Sequence, residues 1–311
     1  MRFVLVGDGF PVVQIVEMLN DFDKATACML FTTPQKDGKT KVEQVADEAG
    51  IPVYPSKTII RNEGIELLKK EPFDWLININ STVIFPNEVL GAPEQGAINM
   101  HPGLLPEYAG LHTHQWAIRN GEEEFGATIH YIEEKLDIGD MISQVVIPIK
   151  DSDTGMSLFI KCIKAGTEGM RSVIQMILDN EHLPRIKQDL SKYHLYRHRD
   201  ALDGEVDWQK SAKEIERFIR AGSYYPFESP TYKPFLILKE SRYEILKTEV
   251  IQSKSDLECG QILWKAGNLI VGCGSEPYLK IVQLLDPASG EKLSQKYMKE
   301  IFIDGSRLGA E

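Results

Sequence analysis

Residues 97–142, AINMHPGLLPEYAGLHTHQWAIRNGEEEFGATIHYIEEKLDIGDMI, place three polar groups beside a short apolar run and turn-forming residues. Asn99 and His101 end that run, and Asp137 follows 36 positions after His101 in the turn LDIG. Residues two apart on a strand share a face, so Asn99 and His101 are predicted to point into one cleft. An amide donates to a developing oxyanion, an imidazole moves a proton near neutral pH, and a carboxylate orients that imidazole. Together they indicate a reaction through a charged tetrahedral intermediate.

Strands and helices alternate on the N-terminal side of this stretch. Short apolar runs that are predicted as strands lie at residues 3–6, 27–31, 51–53, 75–79 and 96–100. This alternation predicts an α/β fold, a Rossmann-like, mostly parallel sheet with helices on both faces. The turn GDGF at residues 7–10 lacks the G-x-G-x-x-G spacing, which disfavours a nicotinamide-dependent enzyme.

The C-terminal third has a different pattern. Ser211 is predicted to cap an amphipathic helix, and residues 231–308 read as short strands only, a pattern typical of a small barrel. The polar residues 180–200 are predicted as a linker. We therefore expect a catalytic domain over residues 1–200, and a linker helix with a β domain over residues 201–311.

Composition bounds the class of protein. The chain of 311 residues is 42% hydrophobic and 26% charged, as in ordinary soluble proteins. No apolar run approaches the roughly 18 residues that span a membrane, and MRFVLVGDGF lacks the features of a signal peptide, so we expect a cytoplasmic protein without a membrane partner. The four cysteines form no CxxC pair, and no zinc-type spacing predicts a metal.

The string INMHPGLLPEYAGL resembles the signature of the 10-formyltetrahydrofolate-dependent formyltransferases, Asn-x-His-Pro-Ser-Leu-Leu-Pro. Asn99, His101 and Asp137 match the catalytic trio of that family in order and in spacing. Gly103 stands where the family usually has Ser, a departure that we expect to affect only the local loop. The resemblance implies transfer of a formyl group from 10-formyltetrahydrofolate to a primary amine without a metal. It also implies an OB-like fold for the C-terminal barrel.

The same resemblance implies further site residues. The residues expected to bind the folate donor are Ser81, Val83, Ile84, Phe85 and, through its backbone, Leu136. The residues expected on the acceptor side are Gly9, Phe10 and His112.

Other interpretations of these and neighbouring residues stay open. From the residues alone, Val83, Ile84 and Phe85 are equally well explained as core positions. Packing explains His112, His114 and His130, and Asp140 is predicted as a solvated or capping residue.

The acceptor follows less directly from the sequence. Where the methionyl-tRNA branch usually has an Arg-Gly-Ala-Ala-Pro-like segment, residues 109–113 read AGLHT, and the net charge of −11 disfavours a general polyanion binder. Residues 201–311 hold 17 acidic and 15 basic side chains, so the excess of acid lies in the first 200. These features favour a small biosynthetic amine, such as a nucleotide-linked amino sugar, over methionyl-tRNA. The intact trio disfavours a formyltetrahydrofolate hydrolase and a non-catalytic folate-binding protein.

Overall fold

A computed structural model describes residues 1–198, 203–252, 256–275 and 278–309, which form two compact units. The first comprises Met1–Thr113, Glu124–Pro148 and Phe159–Tyr196. The second comprises His114–Glu123, Ile149–Leu158 and the described residues from Arg197 onward. The predicted boundary between residues 200 and 201 lies outside the described residues, so that division stays a prediction.

Regular elements cover most of the described chain. The strands are β1 (Arg2–Gly7), β2 (Thr26–Thr32), β3 (Val53–Pro55), β4 (Trp75–Ile79), β5 (Gly96–His101), β6 (Ala109–Gly110), β7 (Glu124–Tyr131), β8 (Met141–Pro148), β9 (Leu195–Tyr196), β10 (Phe235–Leu238), β11 (Ser241–Ile251), β12 (Ile262–Lys265), β13 (Asn268–Val271) and β14 (Tyr278–Leu284). The helices are α1 (Phe10–Asn20), α2 (Lys41–Glu48), α3 (Asn62–Lys70), α4 (Asn87–Leu90), α5 (Thr113–Asn120), α6 (Gly155–Leu178), α7 (Ala212–Gly222) and α8 (Gln295–Ile301). Short 3-10 helices span Ser56–Ile60 and Leu190–Lys192.

The first unit is built on a seven-stranded sheet with the order β3-β2-β1-β4-β5-β7-β8. The strands from β3 to β5 in this order are parallel, while β7 pairs antiparallel with both β5 and β8. The predicted α/β fold with a mostly parallel sheet is confirmed.

Both faces of this sheet are covered, which explains the continuous apolar strands of the sequence. Alternate residues of β1 enter different clusters: Phe3 and Leu5 pack with α1 and α6, and Val4 and Val6 pack with Phe73 on the other side. The turn before α1 requires Gly9, whose φ is +75°. Residues 186–196, predicted as part of a linker, belong to this unit, because β9 pairs with β6.

The second unit contains a five-stranded antiparallel sheet with the order β10-β11-β14-β13-β12. Helix α7 begins at Ser211, as predicted, in a capping box with Glu214, and it buries Ile215 and Ile219 in the cluster that contains Leu279. The prediction that residues 231–308 form only strands was wrong at α8. Ser294 caps this helix, which buries Met298.

No helix in the described ranges is long and apolar enough to cross a lipid bilayer.

Candidate active site

A row of three polar side chains crosses the middle of the seven-stranded sheet. Asn78 of β4 is the register partner of Asn99 of β5, and Asn99 is the register partner of His130 of β7. Asn78 Nδ2 donates to Asn99 Oδ1 over 2.9 Å, and Asn99 Nδ2 lies 3.0 Å from His130 Nε2. An amide nitrogen carries two hydrogens, so one N–H of Asn99 remains for another acceptor. Asn99 is also partly exposed, whereas His101, His130 and Asp137 are buried.

Asp137 comes to this row on the loop between β7 and β8. Its backbone is left-handed, with φ +55°, and its carboxylate points at two imidazoles. Asp137 Oδ2 lies 3.6 Å from His101 Nδ1, and Oδ1 lies 3.5 Å from His130 Nε2. The backbone N–H of Gly110 donates to Oδ2 over 2.8 Å. The structure therefore brings the predicted residues Asn99, His101 and Asp137 together.

The environment keeps the Asp137 carboxylate ionised. Burial by itself raises the pKa of this carboxyl, but the charge of His101, the His130 imidazole and the Gly110 N–H outweigh burial. Together they hold the pKa of Asp137 well below its ordinary value. A buried carboxylate that stays charged stabilises positive charge on a neighbouring imidazole.

The two nitrogens of His101 have different partners. Nε2 donates to the carbonyl oxygen of Tyr108 over 2.6 Å, because a carbonyl only accepts. Nδ1 is therefore the nitrogen that faces Asp137 and can gain or lose a proton. The adjoining loop is fixed by Thr128, whose hydroxyl donates to Gly103 O over 2.7 Å and accepts from Leu105 N over 3.2 Å.

His130 completes the cluster. Its Nδ1 donates to the Tyr131 carbonyl over 2.8 Å, so in the neutral ring Nε2 is an acceptor for Asn99. A proton on Nε2 would instead point toward Asp137 Oδ1, which lies 3.5 Å away. His130 thus connects the amide to the carboxylate.

The absence of a side chain at Gly103 leaves space for the His101 ring. A Cβ at position 103 would lie 2.6 Å from His101 Nε2 and 2.6 Å from Tyr108 O, the two atoms of the hydrogen bond that fixes the ring. The expectation that this departure affects only the local loop was therefore wrong, because the imidazole occupies the space of a side chain at residue 103.

The residues predicted to bind the donor lie in two segments, after β4 and before Asp137, and they differ in exposure. Residues 81–85 follow β4, which is the neighbour of β5 in the sheet. In this stretch, Ser81 Oγ accepts a hydrogen bond from Val83 N over 3.2 Å. Ile84 is 70% exposed, whereas Phe85 is 6% exposed and packs in the core with Val83 against it. Leu136 precedes Asp137 and is exposed. Their roles stay predictions.

The residues predicted on the acceptor side also lie in the first unit. Gly9 and the exposed Phe10 form the start of α1, and His112, with φ +54°, precedes α5. His114 and Asp140 do not join the cluster. Within the second unit, His114 Nε2 forms a hydrogen bond with the hydroxyl of Tyr224. Asp140 forms an ion pair with Arg185 at 3.8 Å.

Sequence reasoning left His130 open and did not single out Asn78. His130 stands in the pattern ATIHY, but only the antiparallel register of β5 and β7 places it beside Asn99. Asn78 lies in an otherwise apolar strand, and a polar residue at such a position is the signal that could have identified it.

An amide donor, two imidazoles and a buried carboxylate, brought together by a mostly parallel sheet, suit an enzyme that transfers a group through a tetrahedral intermediate. The formyl transferase family matches residues 5–174, and the formyl transferase C-terminal domain matches residues 200–300. The chain belongs to the formyl transferase family.

Curated relatives include two methionyl-tRNA formyltransferases. The protein of Listeria monocytogenes serotype 4b (strain CLIP80459) is 35% identical over 253 residues, which cover 81% of this chain and 78% of that protein. The protein of Bacillus cytotoxicus is 30% identical over 310 residues, covering 98% of this chain and 91% of that protein.

Solved structures with the same fold include two N-formyltransferases. The N-formyltransferase of Helicobacter canadensis, solved with folinic acid and dTDP-3-aminofucose, has a TM-score of 0.69 at 18% identity and covers 90% of this chain and 98% of that chain. A 4-N formyltransferase of Francisella tularensis has a TM-score of 0.63 at 22% identity, with 78% of this chain and 94% of that chain covered.

Gly103→Ala is expected to displace the His101 ring or the Tyr108 carbonyl, because the added Cβ has no room between them. A shift of about 1 Å in a reacting group lowers kcat by about 100-fold, so we expect a loss of about 10- to 100-fold. Steady-state kinetics measure kcat, and the ¹⁵N shifts of the His101 imidazole report the Nε2 hydrogen bond. Gly91→Ala is the control, since its nearest neighbour would be Asn87 O at 3.3 Å. Unchanged kinetics and shifts in Gly103→Ala would contradict the steric role.

Asp137→Asn is expected to alter how stability depends on pH. The folded-state pKa of Asp137 is lowered, so its ionised form stabilises the fold above the unfolded pKa of about 3.9, and this contribution is lost as the pH falls. As the pH falls from 5 to 3, only the wild type loses this contribution. The free energy of unfolding of the variant should therefore rise by about 1 kcal/mol relative to that of the wild type. Urea unfolding followed by tryptophan fluorescence measures this difference, and a constant value down to pH 3 would contradict it.

Proposed function

We propose that this protein transfers the formyl group of 10-formyltetrahydrofolate to a primary amine, and that the acceptor is a small biosynthetic amine such as a nucleotide-linked amino sugar. The observation that supports formyl transfer most directly is the cluster of Asn99, His101 and Asp137, in which a partly exposed amide lies next to a buried imidazole and carboxylate.

The first step is attack of the acceptor nitrogen on the formyl carbon. A carbon–nitrogen bond forms, and the carbonyl electron pair moves to the oxygen. The remaining N–H of Asn99 donates to this oxyanion. Loss of one such donor typically costs about 10²–10³ in kcat.

The second step transfers protons and releases the product. His101 Nδ1 takes the proton from the attacking nitrogen, and the Asp137 carboxylate at 3.6 Å stabilises the resulting imidazolium. The imidazolium then gives this proton to N10 of the folate as the bond from carbon to N10 breaks and the carbonyl reforms. The products are the N-formyl amine and tetrahydrofolate.

The donor and acceptor occupy different neighbouring segments in this proposal. Ile84 offers an exposed apolar side chain to the pterin, Phe85 anchors the same stretch in the core, and Ser81, Val83 and Leu136 contribute backbone contacts. Gly9, Phe10 and His112 lie on the acceptor side.

The negative net charge of the chain supports a small acceptor. A protein that binds nucleic acid neutralises phosphates with Lys and Arg, whereas this chain has 46 acidic and 35 basic residues. The segment 109–113, AGLHT, also carries no arginine. Methionyl-tRNA is the alternative acceptor, and it is supported by the identity of 30% to the Bacillus cytotoxicus enzyme over 98% of this chain.

The test is release of tetrahydrofolate from 10-formyltetrahydrofolate with methionyl-tRNA, with a panel of nucleotide-linked amino sugars, and with no acceptor. Stimulation by an amino sugar is the expected result. Stimulation by the charged tRNA would establish the alternative. Equal turnover without an acceptor would indicate a hydrolase, and no turnover with retained folate binding would contradict catalysis.

His112→Ala is expected to raise the acceptor KM several-fold with little effect on the donor KM. His182→Ala, an exposed histidine, is the matched control. An acceptor KM equal to that of the control would remove His112 from the acceptor side.

Asn99→Ala and His101→Ala are each expected to lower kcat by about 10²–10⁴, because each removes a group that acts in the transition state. Donor binding, measured by fluorescence titration with 5-formyltetrahydrofolate, should be retained. Near-normal kcat in either variant would overturn the assignment of that residue.

A further inference from the structure

Residues 186–196, here called the strap, cross the loop that carries Asp137. Ile186 and Met141 exchange two backbone hydrogen bonds of 2.8 and 2.9 Å, which tie the strap to the start of β8. At its other end, β9 pairs with β6 and so holds Gly110, whose N–H donates to the Asp137 carboxylate. The strap is therefore attached on both sides of the carboxylate.

Gln188 lies between these attachments and contacts the Asp137 loop itself. Its Nε2 donates to the backbone oxygen of Asp137 over 2.9 Å and to that of Gly139 over 2.7 Å. Both hydrogens of the amide are used, and the Oε1 atom is buried without a protein hydrogen bond. The side chain is thus aligned for donation to this loop.

Tyr193 holds the preceding residue of the same loop. Its hydroxyl donates to the backbone oxygen of Leu136 over 3.0 Å. Between Gln188 and Tyr193, Asp189 accepts from the N–H and hydroxyl of Ser191, which forms the short 3-10 helix at Leu190–Lys192. This turn allows both side chains to reach one loop.

The loop needs such support because of its backbone. A non-glycine residue in the left-handed region is strained and persists only where its surroundings fix it. Asp137 has φ +55°, and the carbonyl oxygen that Gln188 holds belongs to the same residue. A rotation of this peptide would move the carboxylate away from His101.

We propose that Gln188 and Tyr193 are positioning residues for formyl transfer, with different effects. Gln188 fixes Asp137 against His101, and Tyr193 fixes the Leu136 segment on the donor side. This inference rests on the proposed function, in which Asp137 stabilises the His101 imidazolium and Leu136 contributes to donor binding.

Gln188→Leu keeps the size of the side chain and removes both donated hydrogen bonds. We expect kcat to fall by about 10- to 100-fold, with the donor KM within about twofold of wild type. Tyr193→Phe should raise the donor KM by about 3- to 10-fold with a smaller effect on kcat. Gln175→Leu and Tyr297→Phe are the controls, since both residues are exposed and the amide of Gln175 donates to Asp179 near the end of α6.

The outcomes separate positioning from general stability. If both variants lower the melting temperature and change kcat and KM in the same proportion, the residues are merely structural and the inference is overturned. It is also overturned if both match their controls while Asp137→Asn is inactive. If Asp137→Asn retains full activity, the role of Asp137 in the proposed function fails instead.

Discussion

The buried charge of Asp137 is the constraint that organises this molecule. Removing a carboxylate from water costs several kcal/mol unless charges and hydrogen bonds replace the water. Here the replacements are the imidazoles of His101 and His130 and the N–H of Gly110. They come from β5, β7 and β6, so the three segments must pack together for the carboxylate to stay charged.

The sheet makes this arrangement possible by changing strand direction. The parallel strands β4 and β5 place Asn78 next to Asn99, as neighbouring parallel strands do when their polar residues are in register. Strand β7 then pairs antiparallel with β5, which sets His130 beside Asn99 and starts the loop to β8 that carries Asp137. The mixed sheet therefore places the amide of β5 beside a histidine of β7 and near the carboxylate of the loop that follows β7.

The residues of the cluster differ in their exposure to solvent. The amide of Asn99 is partly exposed, so in the proposed reaction a substrate reaches the cluster there, while the groups proposed to move and stabilise the proton are buried. In a medium of low dielectric constant, the attraction between Asp137 and a protonated His101 is stronger than in water. Gln188 of the strap holds the backbone of Asp137, and Gly103 leaves room for the His101 ring.

The sequence alone determined the α/β fold and the capped helix at Ser211, because apolar periodicity and capping residues are local patterns. The grouping of Asn99, His101 and Asp137 followed from the resemblance to a family motif, and the structure brings the three residues together. The contributions of His130, Asn78 and Gln188 depended on tertiary structure, because their partners are distant in the chain. Gln188 and Asp137, for example, are 51 positions apart. The tertiary structure also decided that Phe85 belongs to the core and that residues 295–301 form a helix. Strand register, burial and the path of the strap arise from packing between segments that are distant in the chain. The sequence of one segment does not specify which other segment packs against it.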